Sequence, residues 1–275
     1  MLANPRSDRV KAVRALEKRS VRQRTGRFTV EGPQGVREAV RCAPDRVRDV
    51  YVTADAATRY ADDVVEPARA ARLWVHEVTP EVLAAMAGTD APQGLLAVIE
   101  SDPRSAHPRE HLEEVLTAGP RLLVLLAHVR DPGNAGTVVR AADAAGADAV
   151  LVSEGSVDPA SPKAVRASAG SLFHLPVVTG LDLAPTLAAL RRHGIASYAA
   201  DGSGATALPD AVLGVPHCWV MGNEAWGLPD EVRGACDDVV RVPIHGLAES
   251  LNLAMAATLC LYASAGERGP EPAAR

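Results

Sequence analysis

The sequence predicts an α/β protein of two domains, and three observations carry that expectation. Short apolar runs alternate with helical patterns along almost the whole chain. In the C-terminal half those runs are apolar on both faces, as the strands of a buried parallel sheet are. Between residues 101 and 111 the stretch SDPRSAHPREH interrupts the pattern with two prolines and many polar side chains. At 275 residues the chain is long enough for two domains, each with a core of its own. The expected division is a domain over 1–100, a linker over 101–119, a second domain over 120–266 and a disordered tail over 267–275.

From the N-terminus, RSDRVKAVRALEKRSVRQR (6–24) places Val10, Val13 and Leu16 at helical spacing among basic residues, which predicts one basic amphipathic helix. FTVEG (28–32) has the composition of a short strand, and GPQGVREAVRC opens a second helix with Pro33 near its first turn. VRDVYVT (47–53), ARLWVHEV (71–78) and GLLAVIE (94–100) complete the strands of a small α/β domain. Beyond the proline-rich break come RLLVLLAHV (121–129), ADAVLVS (147–153), IASYAA (195–200), CWVMG (218–222) and DVVRVPI (238–244). Helical patterns at 134–145, 162–169, 182–193 and 250–264 join them. Ligands of such sheets sit beyond the C-terminal ends of the strands, so the loops after these runs are where chemistry is expected.

Composition excludes several classes of protein. With 47% hydrophobic and 3% aromatic residues the chain is an ordinary globular sequence, and no uninterrupted apolar run reaches the ~18 residues of a membrane span. The N-terminus MLANPRSDRVKAVR is charged where a secretory signal needs an apolar core, so a cytoplasmic protein is expected. Cys42, Cys218, Cys236 and Cys260 are scattered, which predicts buried free thiols rather than a metal site or a disulfide framework. Charge is lopsided: residues 1–48 carry 13 Lys and Arg against 5 Asp and Glu, on a chain whose net charge is -5. Arg9, Lys11, Arg14, Lys18, Arg19, Arg22 and Arg24 are therefore candidate contacts to a polyanion such as RNA. A solvated, salt-bridged helix face would produce the same pattern.

Three strand-end loops hold the candidate chemistry. In HVRDPGNAGTVVRAADAAGA (128–147) the Asp-Pro-Gly sequence turns the chain out of a strand, Asn134 can cap the following helix, and Arg140 is a cation within an apolar helical pattern near a helix N-terminus. In VMGNEAWGLPDEV (220–232) Gly222 permits close approach of a ligand to the backbone and Glu224 offers a carboxylate. In PIHGLAESLNLAMAA (243–257) Ser250 is placed to cap the last helix, leaving Glu249 outside and Asn252 within its first turn. Capping accounts for one polar residue there, and three are present.

Together, NAGTVVRAA, GNEAWGL and the Ser-Leu-Asn at the start of the last helix resemble the three signature motifs of the SpoU/TrmH family, the SPOUT-superfamily RNA 2'-O-ribose methyltransferases. RVKAVRALEKRSVRQRTGRFTVEGPQGVREAV is similar to the L30e-like substrate-binding domain that many members carry. The resemblance implies a parallel sheet threaded into a deep trefoil knot, a homodimer packed through that knot, and S-adenosylmethionine (AdoMet) held in the knot loops without a metal. It places backbone-mediated cofactor contacts at Ala200, Gly222, Val242, Ile244, Leu251 and Leu253. It assigns Arg140 to the substrate phosphate and the attacking hydroxyl, with Asn134, Glu224, Ser250 and Asn252 as its organisers. An arginine, with a pKa above about 12, suits electrostatic organisation better than proton abstraction.

The sequence departs from the family pattern in PIHGLAES, where Ile244 stands in place of a common Met and His245 and Glu249 interrupt a stretch that is elsewhere rich in Gly and Ser. Ribosomal RNA is the first choice of substrate and tRNA the runner-up. Two other readings compete: a ribosome-bound protein that has lost catalysis, and a nucleotide-dependent oxidoreductase suggested by DGSGATA (201–207) after a strand.

Overall fold

The computed structural model describes residues 1–267, so the tail expected over 267–275 lies, but for Glu267, outside the described residues. The chain forms two compact units. One comprises Met1–Pro103 with Asp158–His174; the other comprises Arg104–Val157 and the chain from Leu175 onward.

The first unit is built on a sheet of β1 (Arg27–Glu31), β2 (Val47–Val52), β3 (Trp74–Glu77) and β4 (Leu95–Glu100), in the order β1-β4-β2-β3. β4 runs antiparallel to both neighbours, while β2 and β3 are parallel. Side chains alternate across the pleat, so Leu95, Ala97 and Ile99 enter one core with Phe28 and Val36, and Leu96 and Val98 enter another with Val10, Val13 and Met86.

The single helix expected over 6–24 is two, Asp8–Ala15 and Arg19–Thr25. Arg22 explains the break. Its guanidinium donates to the carbonyls of Leu16 (3.0 Å) and Glu17 (2.7 Å), which the end of the first helix leaves unpaired, and to Asp158 (2.7 Å). Asp158 opens a segment from the C-terminal half that belongs to this unit. Phe173 stacks on Phe28 with ring centroids 6.5 Å apart, Arg166 pairs with Glu31 (3.8 Å) and His174 with Glu38 (3.3 Å). The first unit is therefore not residues 1–100 alone: Val165, Leu172 and Phe173 find their apolar neighbours in its core.

The second unit contains a seven-stranded sheet: β5 (Leu122–Leu126), β6 (Ala149–Ser153), β7 (Val177–Leu181), β8 (Ala196–Ala200), β9 (Thr206–Ala207), β10 (His217–Met221) and β11 (Asp238–Arg241). The order is β7-β6-β5-β10-β8-β11-β9, and every pairing is parallel. β5, β6 and β10 are buried along their whole length, which accounts for their continuous apolar runs. β7 and β9 are additions to the five expected strands. The expected linker also has structure: helix Pro108–Thr117 buries Leu112, Val115 and Leu116 in the core that holds Leu123 and Leu125.

On the opposite face lie helices Pro132–Ala144 and Leu253–Gly266, which share a core with Trp219 and Met221. A buried polar network fixes the second of these to β10. The Trp219 indole N–H (2.9 Å) and the His217 ring (2.7 Å) both meet the Ser264 hydroxyl. His217 Nδ1 lies 2.7 Å from the Val215 carbonyl, so a proton on Nδ1 leaves Nε2 to accept from Ser264.

Candidate active site

Three loops leave the C-terminal ends of β5, β10 and β11 and converge. In the first, Asp131 rather than Asn134 is the cap of helix Pro132–Ala144, accepting from the Asn134 backbone N–H at 2.8 Å. Asn134 is thereby inside the first turn with its side chain free for other work. In the third, Asn252 rather than Ser250 caps helix Leu253–Gly266, its Oδ1 accepting from the N–H groups of Ala254 (2.9 Å) and Met255 (3.4 Å).

The three motifs meet in one chain of hydrogen bonds. Because Asn252 Oδ1 is committed to the helix, its Nδ2 donates to Asn134 Oδ1 (3.1 Å), and Asn134 Nδ2 in turn donates to Glu224 Oε1 (3.1 Å). The direction of donation orients both amides. Glu224 also accepts from the backbone N–H groups of Arg130 (3.2 Å) and Asp131 (3.1 Å). Burial pushes the Glu224 pKa up, but the bonds from Asn134, Arg130 and Asp131 outweigh it and hold the carboxyl below the usual carboxylate range. Glu224 is thus a fixed anion at neutral pH, suited to organising loops and poorly suited to taking a proton.

Beside this chain lies a cavity of about 490 Å³, in the size range of small-molecule sites. All six expected cofactor residues, Ala200, Gly222, Val242, Ile244, Leu251 and Leu253, line it, as do Asn134, Glu224, Ser250 and Asn252. Met221, Val240 and Ala256 add apolar wall, and Asp201 and Glu249 add carboxylates. An apolar slot with a polar end fits a nucleoside carrying a charged tail, so the residues present suit AdoMet. DGSGATA gives no dinucleotide site, because its glycines lead into a two-residue strand and a short 3-10 turn at Leu208–Asp210 instead of a helix.

Some placements differ from expectation. Gly222 serves its own loop more than a ligand: a Cβ there would lie 2.4 Å from the Gly227 carbonyl carbon. Arg140 is not near its helix's N-terminus but in the second half, exposed, outside the cavity lining and without a hydrogen bond or ion pair among the described residues. The conflict with the helix dipole inferred from sequence therefore falls away. Arg22, expected to contact RNA, is 6% exposed and engaged with Asp158, so it presents no cation to a polyanion. Arg14 is tied to Glu17 (3.1 Å) and the Ala87 carbonyl, and Lys11 to Asp8 (3.3 Å). Arg9 approaches His76 at 3.4 Å, while Lys18, Arg19 and Arg24 are exposed.

Asn223 went unrecognised in the sequence. It is buried, its Nδ2 donates to the His128 carbonyl (2.7 Å), its Oδ1 accepts from the Ala225 N–H (2.8 Å), and its backbone pairs with Gly227. It binds the second loop to the first; the available signal was an amide directly after the strand-ending glycine. Of the thiols, Cys218 and Cys260 are buried as expected, with burial pushing Cys260 up to about 12, whereas Cys42 is exposed. Cys42, Glu38 and His174 bring potential ligand atoms within 4.8 Å of one another, although Glu38 is already bonded to Arg37 (2.9 Å) as well as His174.

The family profile described as SpoU rRNA Methylase matches residues 121–262, which hold all three loops. The chain belongs to the SpoU rRNA methylase family. A second profile, the MRM3-like substrate binding domain, matches residues 7–97. The chain is 31% identical to 23S rRNA (guanosine-2'-O-)-methyltransferase RlmB of Bordetella pertussis, over 83% of its own length and 93% of the relative's. It is 29% identical to 23S rRNA (guanosine(2553)-2'-O)-methyltransferase RlmP of Bacillus subtilis, over 95% and 97%. Among solved structures it matches the AdoMet-bound rRNA methyltransferase of Sinorhizobium meliloti with a TM-score of 0.77 at 28% identity, covering 96% of each chain. It matches the SpoU methyltransferase AviRb of Streptomyces viridochromogenes in complex with AdoMet with a TM-score of 0.81 at 29% identity, covering 95% of this chain and 99% of that one.

Proposed function

We propose that this SpoU family member is an AdoMet-dependent methyltransferase that modifies a ribose 2'-hydroxyl of ribosomal RNA. The observation that carries the reading is the Glu224–Asn134–Asn252 chain at the edge of the 490 Å³ cavity, since it ties the three motifs to one ligand-sized space. The names of the relatives direct the substrate to 23S rRNA, with guanosine the first nucleotide to test. Work on ribosomal RNA supports a cytoplasmic location. Among the described residues no helix is long and apolar enough to cross a membrane.

When bound, AdoMet supplies an electrophilic methyl group, and the protein's tasks are to position the hydroxyl and ease loss of its proton. Ala200, Gly222, Val242, Ile244, Leu251 and Leu253 hold the cofactor, largely through backbone groups. Glu224, Asn134 and Asn252 keep the loops in register, and Ser250 contributes a hydroxyl at the same mouth. Arg140 binds the substrate phosphate and stabilises charge developing on the attacking oxygen, while the proton leaves to solvent.

Arg140 stands outside its own chain's cavity, and helix Leu253–Gly266 exposes Met255, Leu259 and Tyr262 along one side. Both features support a homodimer in which the helix is covered and Arg140 completes the partner copy's site. The C-terminal segment from β10 through the last helix is proposed to form a trefoil knot, and residues 1–100 to act as an RNA-binding domain. Incubation with unmodified 23S rRNA, tRNA and labelled AdoMet tests the function. Label in the rRNA as an alkali-stable 2'-O-methyl nucleotide is expected; label in tRNA alone moves the substrate, and no transfer to any RNA overturns the reading.

A further inference from the structure

The second loop carries a side chain that neither the cavity nor the hydrogen-bond chain uses. Trp226 lies between Ala225 and Gly227, both of which line the cavity, and two residues after Glu224. It is 53% exposed. The Arg130 guanidinium carbon sits over its ring, 5.0 Å from the centroid. That guanidinium is exposed and makes no hydrogen bond or ion pair among the described residues. A large aromatic surface and an uncompensated cation are thus held against each other at the cavity mouth.

Neither group is there by looseness of the loop. Asn223 and Gly227 exchange backbone hydrogen bonds of 2.8 and 2.9 Å, and Asn223 anchors to the His128 carbonyl. Glu224 holds the Arg130 backbone N–H, so the residue that carries the cation is fixed by the loop that carries the indole. The loop is held by hydrogen bonds at both ends, with the Trp226 indole half exposed to solvent.

We propose that Trp226, backed by Arg130, is the platform on which a base of the RNA substrate stacks at the mouth of the cavity. The proposal rests on the methyltransferase reading above. Single-stranded RNA offers unstacked bases and phosphates together, which an aromatic face and an arginine bind in concert. The cation on one side polarises the indole and keeps the ring oriented, leaving the remaining surface for a base. Trp74, which is also exposed, lies in the first unit and away from this loop in sequence, so the two tryptophans are separable by mutation.

The test uses the full-length protein with Trp226→Ala, Trp226→Phe and Arg130→Ala. Fluorescence anisotropy reads binding to an unmodified 23S rRNA transcript, methyl transfer reads KM and kcat on the same transcript, and calorimetry reads AdoMet binding. Trp226→Ala is expected to weaken RNA binding roughly 5- to 100-fold, the effect of a lost base–aromatic stack. AdoMet affinity should stay unchanged, Phe should restore most of the loss, and Arg130→Ala should fall between. Unchanged RNA affinity in Trp226→Ala, or failure of the wild type to bind RNA, overturns the platform. Dissociation of a dimer by Trp226→Ala in sedimentation also overturns it, because Trp226 then belongs to a contact between copies. Wild type that binds RNA without methylating it sinks the enzyme reading alone, since anisotropy still reports on Trp226.

Discussion

Asn134 is the side chain through which the three motifs communicate, because one amide accepts from Asn252 and donates to Glu224. Asn134→Ala removes both bonds and is expected to weaken AdoMet binding about tenfold, as two bonds of ordinary net strength would. Asn134→Asp should be worse, since it sets a second carboxylate against the Glu224 anion. Calorimetric affinities that rank Asp equal to or above Ala would remove the Glu224 contact from the account. Glu224 itself sets a pH dependence. Its folded pKa is depressed, so its contribution is fully present above the unfolded carboxyl value of about 4.3 and is lost as pH falls through the lower folded value. AdoMet affinity should therefore hold as pH drops from 7 to about 5 and decline only below the ordinary carboxylate range. A titration of AdoMet affinity that falls already between pH 7 and 6 assigns the controlling group elsewhere.

At the level of elements, the last helix is fixed at both ends by polar residues, Asn252 at its start and Ser264 near its finish. Ser264→Ala leaves the Trp219 indole N–H and His217 Nε2 facing an alanine inside the core. It should cost roughly 1–3 kcal/mol, seen as a lower urea midpoint at unchanged slope; a midpoint within error of wild type would mean the network is replaced by water. The apolar runs of β5, β6 and β10 were legible in the sequence because burial on both faces leaves no polar residue to blur them. β7 was not, because Thr179 and Gly180 are only partly buried or exposed and dilute its apolar signal. The two residues of β9 are too few to show any period. The motif residues were legible as a set, but the capping roles fell one or more positions away, on Asp131 and Asn252, because several residues in each loop have the chemistry of a cap. Arg22 was misread because its partner Asp158 lies 136 residues away, and no local pattern announces such a bond.

For the whole molecule the deciding fact is that Arg140 stands apart from the cavity formed by its own chain. In the symmetric dimer proposed above, built on the exposed side of helix Leu253–Gly266, each Arg140 would serve the other copy's cavity mouth. Arg140→Ala should then abolish methyl transfer while leaving AdoMet affinity intact, whereas Asn134→Asp should damage the cavity while leaving Arg140 sound. Assayed at an AdoMet concentration too low to fill the Asn134→Asp cavity, neither homodimer has a competent site. When the two inactive variants are unfolded together and refolded, half of the dimers are mixed. In each mixed dimer one site collects both lesions and the other collects none, so about a quarter of wild-type activity should return. If Arg140 served the cavity of its own chain, every site in every mixed dimer would carry one lesion and activity would stay at the level of the parents. A co-refolded mixture with no recovered transfer, and sedimentation showing that mixed dimers have formed, would place Arg140 in its own subunit's site and withdraw the shared active site.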